Sequence, residues 1–354
     1  MTVLGQTQAN ASQRSRGFAP GGFGFDWIIT VLIMVATAGV LFDEWSHRTY
    51  GSDQSVLIPF HVTFFAGDGL HFLILLGLWF YNVWQGYALS KALPKGYLAS
   101  LVALGAFGAS GFADQLGHTL FGFEVGLEGL LSPTHVMLFL LGGVIIAGPV
   151  RATLARLCSA KPRLTSLLPL LICTGTLLAM FEIALTLFLP LSDNLFMTAA
   201  LSTPQPFYGQ LIGVAGMVLQ TLILVGVLLW LTFSIELPVG ALSVTLLSYG
   251  LLNLVMFEFS PVLLPVWLGT GVAADLLYLW LKPTVQKRTH VILFSTALAL
   301  VLWSLVYVMI AVFGVGVGFA WSSYIRYGGV VYAAVAAALL GYLMTMSGRG
   351  EARA

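Results

Sequence analysis

Long apolar runs, separated by short polar stretches, follow one another along the whole chain. A run of about 20 residues is long enough to cross a bilayer core about 30 Å thick as an α-helix. A transmembrane β-barrel would instead show short segments of alternating character. The pattern predicts an all-α, polytopic membrane protein with about ten transmembrane helices. Their approximate ranges are 26–47, 58–84, 97–118, 133–150, 164–190, 207–235, 238–257, 261–281, 289–319 and 328–346.

Composition supports this class. Of the 354 residues, 58% are hydrophobic and only 8% are charged, whereas about 25% of the residues in a typical soluble domain are charged. The net charge of +1, without a basic cluster, gives no indication of nucleic acid binding. The lipid bilayer is therefore the expected environment. The loops between the helices are short, so the sequence offers no soluble domain that could receive electrons or bind ATP. We therefore also expect other membrane subunits or a homo-oligomer as partners.

The basic residues are distributed unevenly over the two sides that ten helices would define. Positively charged loops stay in the cytoplasm, so the richer side predicts that both termini are cytoplasmic. The poorer side holds only Arg48 and Arg326. The richer side holds thirteen: Arg14, Arg16, Lys91, Lys95, Arg151, Arg156, Lys161, Arg163, Lys282, Lys287, Arg288, Arg349 and Arg353.

The chain is predicted to have four parts. Residues 1–24, rich in Gln, Ser, Gly and Ala, have the composition of a disordered cytoplasmic tail. Residues 25–150 form a four-helix membrane unit, residues 151–347 form a six-helix membrane unit, and residues 348–354 form a second cytoplasmic tail. The two cysteines, Cys158 and Cys173, lie on the reducing side or in lipid, so no disulfide framework is expected.

A duplicated motif carries the chemistry. In each copy an Asp at the end of one helix is followed four residues later by His, and after an outer loop the next helix begins with Pro and a second His. Both copies run in the same direction, which makes them parallel repeats of one helical hairpin. The first copy consists of Asp43, His47, Pro59 and His61, and the second of Asp114, His118, Pro133 and His135. Weaker versions of the motif follow at Glu182 and at Glu258, where an aromatic residue stands in place of the second His.

The spacing of the motif suits a metal ion. Residues four apart lie on one face of a helix, and Pro is favoured in the first turn, so each hairpin offers one carboxylate and two imidazoles at one depth. Such nitrogen and oxygen donors suit copper(II), iron, zinc or manganese, and the absence of thiolate argues against soft copper(I). Further ligands, or groups that orient the histidines, would be Glu44, Glu124 and Glu128. Alternatively, each Asp–His pair has only a structural role at the membrane–water interface, where it holds the helix ends together.

Two more ionisable residues lie deeper in the second helix. His71 follows His61 by ten residues, about 15 Å along a helix axis, which places it near the bilayer midplane together with Asp68. Ionisable groups at this depth are costly and commonly functional. They are candidates for a proton or ion relay, and the alternative is a hydrogen-bonded pair that holds helices together. Glu182 and Asp275 are the other acidic residues deep in predicted helices.

The hairpin motif resembles the copper-site motif of the C subunit of particulate methane and ammonia monooxygenases. The resemblance maps onto Asp43, His47 and His61, and less closely onto the second copy. It implies a copper site, and the donor types leave iron or zinc as alternatives. Together with the distribution of basic residues, we expect a bacterial plasma membrane location with the sites facing outward. The chain departs from that family in its ten predicted helices and its duplicated motif, and the resemblance covers only these short stretches.

Three classes of function follow. The first is an oxidase or monooxygenase, or a subunit of one, whose metal acts on an apolar substrate dissolved in lipid. The second is a metal transporter or a proton-coupled transporter, with the outer sites as its entrance. The third is a non-catalytic structural subunit of a larger membrane complex. Of these, the sequence favours a metal-binding protein of the oxidase or monooxygenase type.

Overall fold

A computed structural model describes residues 17–50, 59–122, 131–157, 161–185, 206–256, 261–313 and 321–346. Within these ranges all regular structure is helical. Two short 3₁₀ turns, Leu89–Lys91 and Pro261–Leu263, accompany the α-helices. In chain order the α-helices are α1 Phe23–Tyr50, α2 Pro59–Trp84, α3 Leu98–Phe121, α4 Pro133–Arg156, α5 Leu164–Ala184, α6 Pro206–Ser234, α7 Ala241–Asn253, α8 Leu264–Leu281, α9 Arg288–Phe313 and α10 Ser323–Met344.

Eight of these helices are long and apolar enough to cross a membrane, which confirms the all-α polytopic class. The other two are α3 and α7. Helix α3 has sufficient length, but Gly and Ala dominate it and Asp114 and Gln115 lie near its end, which lowers its hydropathy. Helix α7 has only 13 residues, about 20 Å along its axis. That α3 and α7 also cross the membrane remains a prediction.

The first of two compact units comprises Met1–Cys158 and Ile172–Met180. In it α1 packs on α2, α3 packs on α4, and the two hairpins meet where α1 contacts α4 and α2 contacts α3. The approach of α1 to α2 is close at two glycines. A Cβ on Gly67 would lie 2.9 Å from the backbone nitrogen of Ala36, and one on Gly39 would lie 2.6 Å from that of Phe64. These contacts align the two helices of the first hairpin.

An ion pair fastens one end of this unit. Asp26, at the start of α1, is fully buried. Tyr97, just before α3, donates a hydrogen bond of 2.6 Å to Asp26 Oδ1, and the Arg156 guanidinium at the end of α4 pairs with the same carboxylate. Three helix termini therefore meet here, and both Asp–His motifs lie toward the opposite ends of their helices. This arrangement agrees with the up-and-down order that the sequence predicts.

A proline inside α4 is accommodated by a hydrogen bond from α3. Pro149 has no N–H to bond the carbonyl of Ile145, four residues earlier. The hydroxyl of Ser100 donates to that carbonyl at 3.2 Å. A backbone group that lacks its partner in lipid costs several kcal/mol, so this contact lets a proline-containing helix remain in an apolar setting and ties α3 to α4.

The second unit comprises Ser159–Leu171 and Phe181–Ala354. Its helices pack in sequence order from α7 to α10, and α6 also contacts α9 and α10. The largest fully buried side chains in it are Trp267, Trp303, Tyr249 and Phe294. The domain boundary between residues 150 and 151 remains a prediction. Both cytoplasmic tails also remain predictions, because residues 1–16 and 347–354 lie outside the described part of the chain.

The two deep acids of the second unit are hydrogen-bonded. Glu182 accepts from the side-chain amides of Gln220 and Asn253, the latter at 3.1 Å. Asp275 of α8 accepts from the backbone nitrogens of Leu242 and Ser243, at 3.2 and 3.0 Å. It thereby satisfies the first turn of α7, which is where a helix has free N–H groups. Both acids have a structural explanation.

Candidate metal centres

The first candidate centre joins the end of α1 to the start of α2. Asp43 and His47 lie one helical turn apart on α1, with Oδ1 and Nε2 3.9 Å apart. His61, in the first turn of α2, places its Nε2 3.0 Å from Asp43 Oδ2. The two imidazole rings are 6.2 Å apart between centroids. One ligand atom from each of the three residues lies within 4.8 Å of the other two.

The second candidate centre repeats this arrangement at the end of α3 and the start of α4. Asp114 Oδ2 lies 3.1 Å from His118 Nε2, one turn further along α3. His135 places its Nδ1 3.7 Å from Asp114 Oδ1. The ring centroids of the two histidines are 6.0 Å apart. Again, one ligand atom from each residue lies within 4.8 Å of the other two.

All six predicted ligands therefore have partners of the predicted kind. They form two groups of three, one for each hairpin. The sequence leaves open whether the two hairpins form one shared centre or two separate ones, and in the structure each pair of histidines gathers around its own aspartate. The geometry is local, since every group is built from one helix end and the next helix start.

Each group is half-buried, which leaves it open to an ion or a small molecule. The side chains of the first group are 17–35% exposed, and those of the second are 12–32% exposed. With neutral imidazoles each group carries one negative charge. A divalent cation would reverse the sign of that charge and satisfy the carboxylate, whereas an isolated carboxylate at the edge of an apolar phase is costly.

One carboxylate oxygen in the first group has the environment expected of a metal ligand. Asp43 Oδ1 is buried and has no hydrogen-bond partner among the described residues. Its neighbour His47 is too distant at 3.9 Å to form a hydrogen bond. Buried polar oxygens in folded proteins are nearly always bonded, and exceptions commonly mark an ion or a water. Both the donor types of the first group and this buried oxygen are therefore consistent with a bound metal ion.

Aromatic side chains line the first centre. Phe60 stacks on Phe42, with centroids 5.7 Å apart and planes 11° apart, and its edge faces Trp45. His61 contacts the rings of Phe64 and Phe65 at 6.4 and 6.1 Å. These rings place apolar surface beside the His61 imidazole.

Hydroxyl groups take the corresponding positions at the second centre. The Thr134 hydroxyl donates to Asp114 Oδ1 at 2.5 Å, and Ser132 Oγ lies 2.6 Å from His135 Nδ1. Ser132 also accepts from the backbone nitrogen of His135 and caps α4. Sequence reasoning missed both residues. The signal was available for Ser132, since Ser before Pro at a helix start is typical of an N-cap.

The remaining candidate residues lie elsewhere. Glu44 is described, but it belongs to neither group of three. Glu124 and Glu128 lie outside the described residues, as do Glu258 and Cys158. The hydrogen-bond partners of Glu182 and the Asp26–Arg156 ion pair were also missed, because residues so far apart in sequence give no local pattern.

The deep residues of α2 are set among apolar neighbours. His71 is fully buried, and neither ring nitrogen has a hydrogen-bond partner among the described residues. Asp68, one turn nearer to the first centre, lines a cavity of about 30 Å³ together with Thr37, Val40, Phe107 and Ile145. A cavity of this size can hold one or two water molecules. The predicted polar contact that would hold helices together is therefore absent at His71 within the described residues.

Comparisons of the chain with models of protein families, with curated proteins and with solved structures find no significant match.

Proposed function

We propose that this chain is an integral membrane protein that binds a transition metal with the Asp–His groups of its first two hairpins. The observation that carries the proposal is the convergence, twice in one chain, of a carboxylate and two imidazoles within 4.8 Å. A single Asp–His pair at a helix end is common. A second imidazole brought to the same carboxylate by the next helix, and the repetition of the whole set, favour a ligand set over a chance cluster.

Copper is the metal we propose, with iron or zinc as the alternatives. Imidazole suits copper, iron and zinc, and carboxylate oxygen is compatible with all three. The resemblance of the motif to the copper-site motif of particulate monooxygenases supports copper. Nothing in either group offers the sulfur donors that copper(I) or structural zinc sites use.

The chemistry we propose is that of an oxidase or monooxygenase acting on an apolar substrate. Three protein donors leave coordination positions open, as catalytic metal sites require. Bound copper or iron would supply redox chemistry with oxygen, which zinc cannot. The protein's own contribution would be to hold the imidazoles with Asp43 and to limit water with Phe60 and Phe64, while an apolar substrate arrives from the bilayer.

The setting of the sites supports this proposal. The thirteen-to-two distribution of basic residues favours cytoplasmic termini and outward-facing centres in a bacterial plasma membrane. Large apolar side chains cover the outside of the first unit, among them Leu73, Phe112 and Val102, which are 63, 72 and 66% exposed. Such side chains suit lipid, or the transmembrane face of another subunit or a second copy of the chain.

A proton-coupled or metal transporter is the second candidate, and His71 favours it. Its imidazole is fully buried, has no hydrogen-bond partner in the described part of the chain, and lies one turn from a carboxylate beside a small cavity. This is unusual in a merely structural helix. Asp68→Asn, compared with Asp275→Asn as a control outside the first unit, should then abolish transport into proteoliposomes and leave the metal content unchanged. Retained transport in Asp68→Asn would exclude this role.

Elemental analysis of the detergent-purified protein tests the main proposal. We expect copper, or iron or zinc, in a constant ratio to protein, and a paramagnetic signal that reduction removes if the metal is copper. Oxygen consumption with an apolar substrate and an electron donor would then support the oxidase class, whereas metal uptake into vesicles would support the transporter. A protein that purifies without metal and binds none of the three when they are added would refute the metal proposal. The Asp–His groups would then be interfacial contacts between helix ends, as in a structural subunit or a proton-coupled transporter.

A further inference from the structure

The two hairpins differ in what already occupies their aspartate oxygens. At the first centre, Asp43 Oδ2 contacts His61, while Oδ1 is buried and has no hydrogen-bond partner among the described residues. At the second, Asp114 Oδ2 contacts His118 at 3.1 Å, and Oδ1 accepts from Thr134 at 2.5 Å. Within the described residues, one carboxylate therefore has an oxygen without a hydrogen-bond partner, and the other has a polar partner at each oxygen.

The same difference extends to the second histidine of each hairpin. His135 Nδ1, the nitrogen nearest to Asp114, lies 2.6 Å from the Ser132 hydroxyl. A metal ion ligated by this nitrogen would displace Ser132, and one ligated by Asp114 Oδ1 would compete with the Thr134 hydroxyl for the electron density of that oxygen. In the first hairpin the corresponding imidazole nitrogen of His61 faces Asp43 itself, so a metal there would replace a contact between two of its own ligands.

Two positions in the sequence account for the difference. The second helix of the first hairpin begins Pro59, Phe60, His61, and that of the second begins Pro133, Thr134, His135. Phe60 cannot donate a hydrogen bond, and it stacks on Phe42 instead. The residue before the proline is Ile58 in the first hairpin and Ser132 in the second. Both hydroxyl groups are thus peculiar to the second copy.

We infer that the two centres are not equivalent and that the first hairpin is the high-affinity metal site. At the second, the hydroxyl groups of Thr134 and Ser132 already form hydrogen bonds with the candidate ligands, so this site binds metal more weakly. The inference rests on the proposed function and assigns a role to each copy of the repeat. Both hydroxyl contacts compete with metal binding, and the one from Thr134 to a carboxylate is charge-assisted and so the stronger of the two. The Thr134 hydroxyl is therefore the main determinant of the difference.

Titration of metal-free protein with copper(II) tests this inference. We expect one tight site in the wild type and a second site at least about tenfold weaker, a gap of about 1.4 kcal/mol. His47→Ala should abolish tight binding, and His118→Ala should retain it. Equal affinities in the wild type, or loss of the tight site in His118→Ala with its retention in His47→Ala, would overturn the inference but not the proposed function. Binding of no metal by the wild type would overturn both.

A reciprocal exchange separates the hydroxyl groups from general effects of substitution. Thr134→Val keeps the shape of the side chain and removes the donor, so we expect the affinity of the second site to rise about fivefold to tenfold. Phe60→Thr places a hydroxyl near Asp43 and should lower the affinity of the first site. Ser132→Ala is the second removal variant, should Thr134→Val fail to fold. If none of the folded variants shifts the affinity of its own site, the assignment to these hydroxyls is wrong.

Discussion

Asp43 and His61 are separated by 18 residues of sequence, and their side chains nevertheless meet at 3.0 Å between Oδ2 and Nε2. The contact joins the end of α1 to the start of α2. Because the two side chains are only 17 and 21% exposed, a metal bound there would link the helices more strongly than the hydrogen bond does. Metal occupancy should therefore be measurable as stability.

We expect a chelator to lower the thermal unfolding temperature of the wild type. A ligand present at 100 times its dissociation constant stabilises the folded state by about 2.7 kcal/mol, and its removal withdraws that stabilisation. In His61→Ala the difference between metal-loaded and chelated protein should shrink to the smaller contribution of the second centre. His290→Ala is the matched control, because His290 bonds the carbonyl of Leu281, outside both groups. An unfolding temperature that the chelator leaves unchanged would contradict this prediction.

The close approach of α1 and α2 should make Gly67 sensitive to substitution. In Gly67→Ala the new methyl group meets the backbone of Ala36 at 2.9 Å, so the helices must separate, at a cost of about 1–3 kcal/mol. The same separation should weaken metal binding at the first centre. Gly69→Ala, two residues on, meets nothing within 4 Å and should leave stability and metal content unchanged. Equal behaviour of the two variants would refute the helix contact.

The buried ion pair at the other end of the first unit should contribute to stability. Tyr97→Phe removes a hydrogen bond to a charged acceptor, for which we expect a loss of about 1.5–3 kcal/mol. Arg156→Ala leaves the fully buried Asp26 carboxylate without its counter-charge, so it should cost more. Denaturant or thermal unfolding in detergent measures both. The prediction is wrong if Arg156→Ala is the milder change.

In the second unit we expect Glu182→Ala to destabilise the protein without affecting metal. The substitution removes the charged acceptor that the amides of Gln220 and Asn253 share, and a lost hydrogen bond to a charged group costs about 1.5–3 kcal/mol. Glu182→Gln keeps an acceptor oxygen and should cost less. Elemental analysis of both variants should give the wild-type metal content, and a loss of metal would place Glu182 in the metal chemistry after all.

Topology can be tested with a cysteine-free background, Cys158→Ser with Cys173→Ala. Tyr50→Cys and Phe121→Cys replace side chains that are 77 and 88% exposed at the ends of α1 and α3. On the proposed orientation an impermeant thiol reagent should label both in intact cells. Lys95→Cys, in the exposed turn before α3, should react only after lysis. The reverse pattern would place the termini outside and the metal groups in the cytoplasm.

The helices and the six ligand candidates followed from local patterns in the sequence. Residues four apart share a helix face, and Pro59 and Pro133 mark helix starts, so one Asp and two His could be placed together without knowing the fold. Contacts such as the ion pair of Asp26 with Arg156 depend on how the hairpins pack, and no periodic pattern in the sequence predicts them. Whether the two local groups would merge into one shared centre likewise depends on how the hairpins pack, which sequence spacing does not specify.

The locality of the two centres has a consequence for biogenesis. Each centre draws its ligands from two consecutive helices, so the segment from Asp43 to His61 contains the whole first set. A nascent chain therefore has everything needed to capture an ion once its first two helices have been inserted, while the remaining eight are still to be translated. The short loop keeps the entropy of closing such a site low. Metallation at this point would lock the first hairpin in register before α3 and α4 arrive, and would make it the template on which the rest of the membrane unit is assembled.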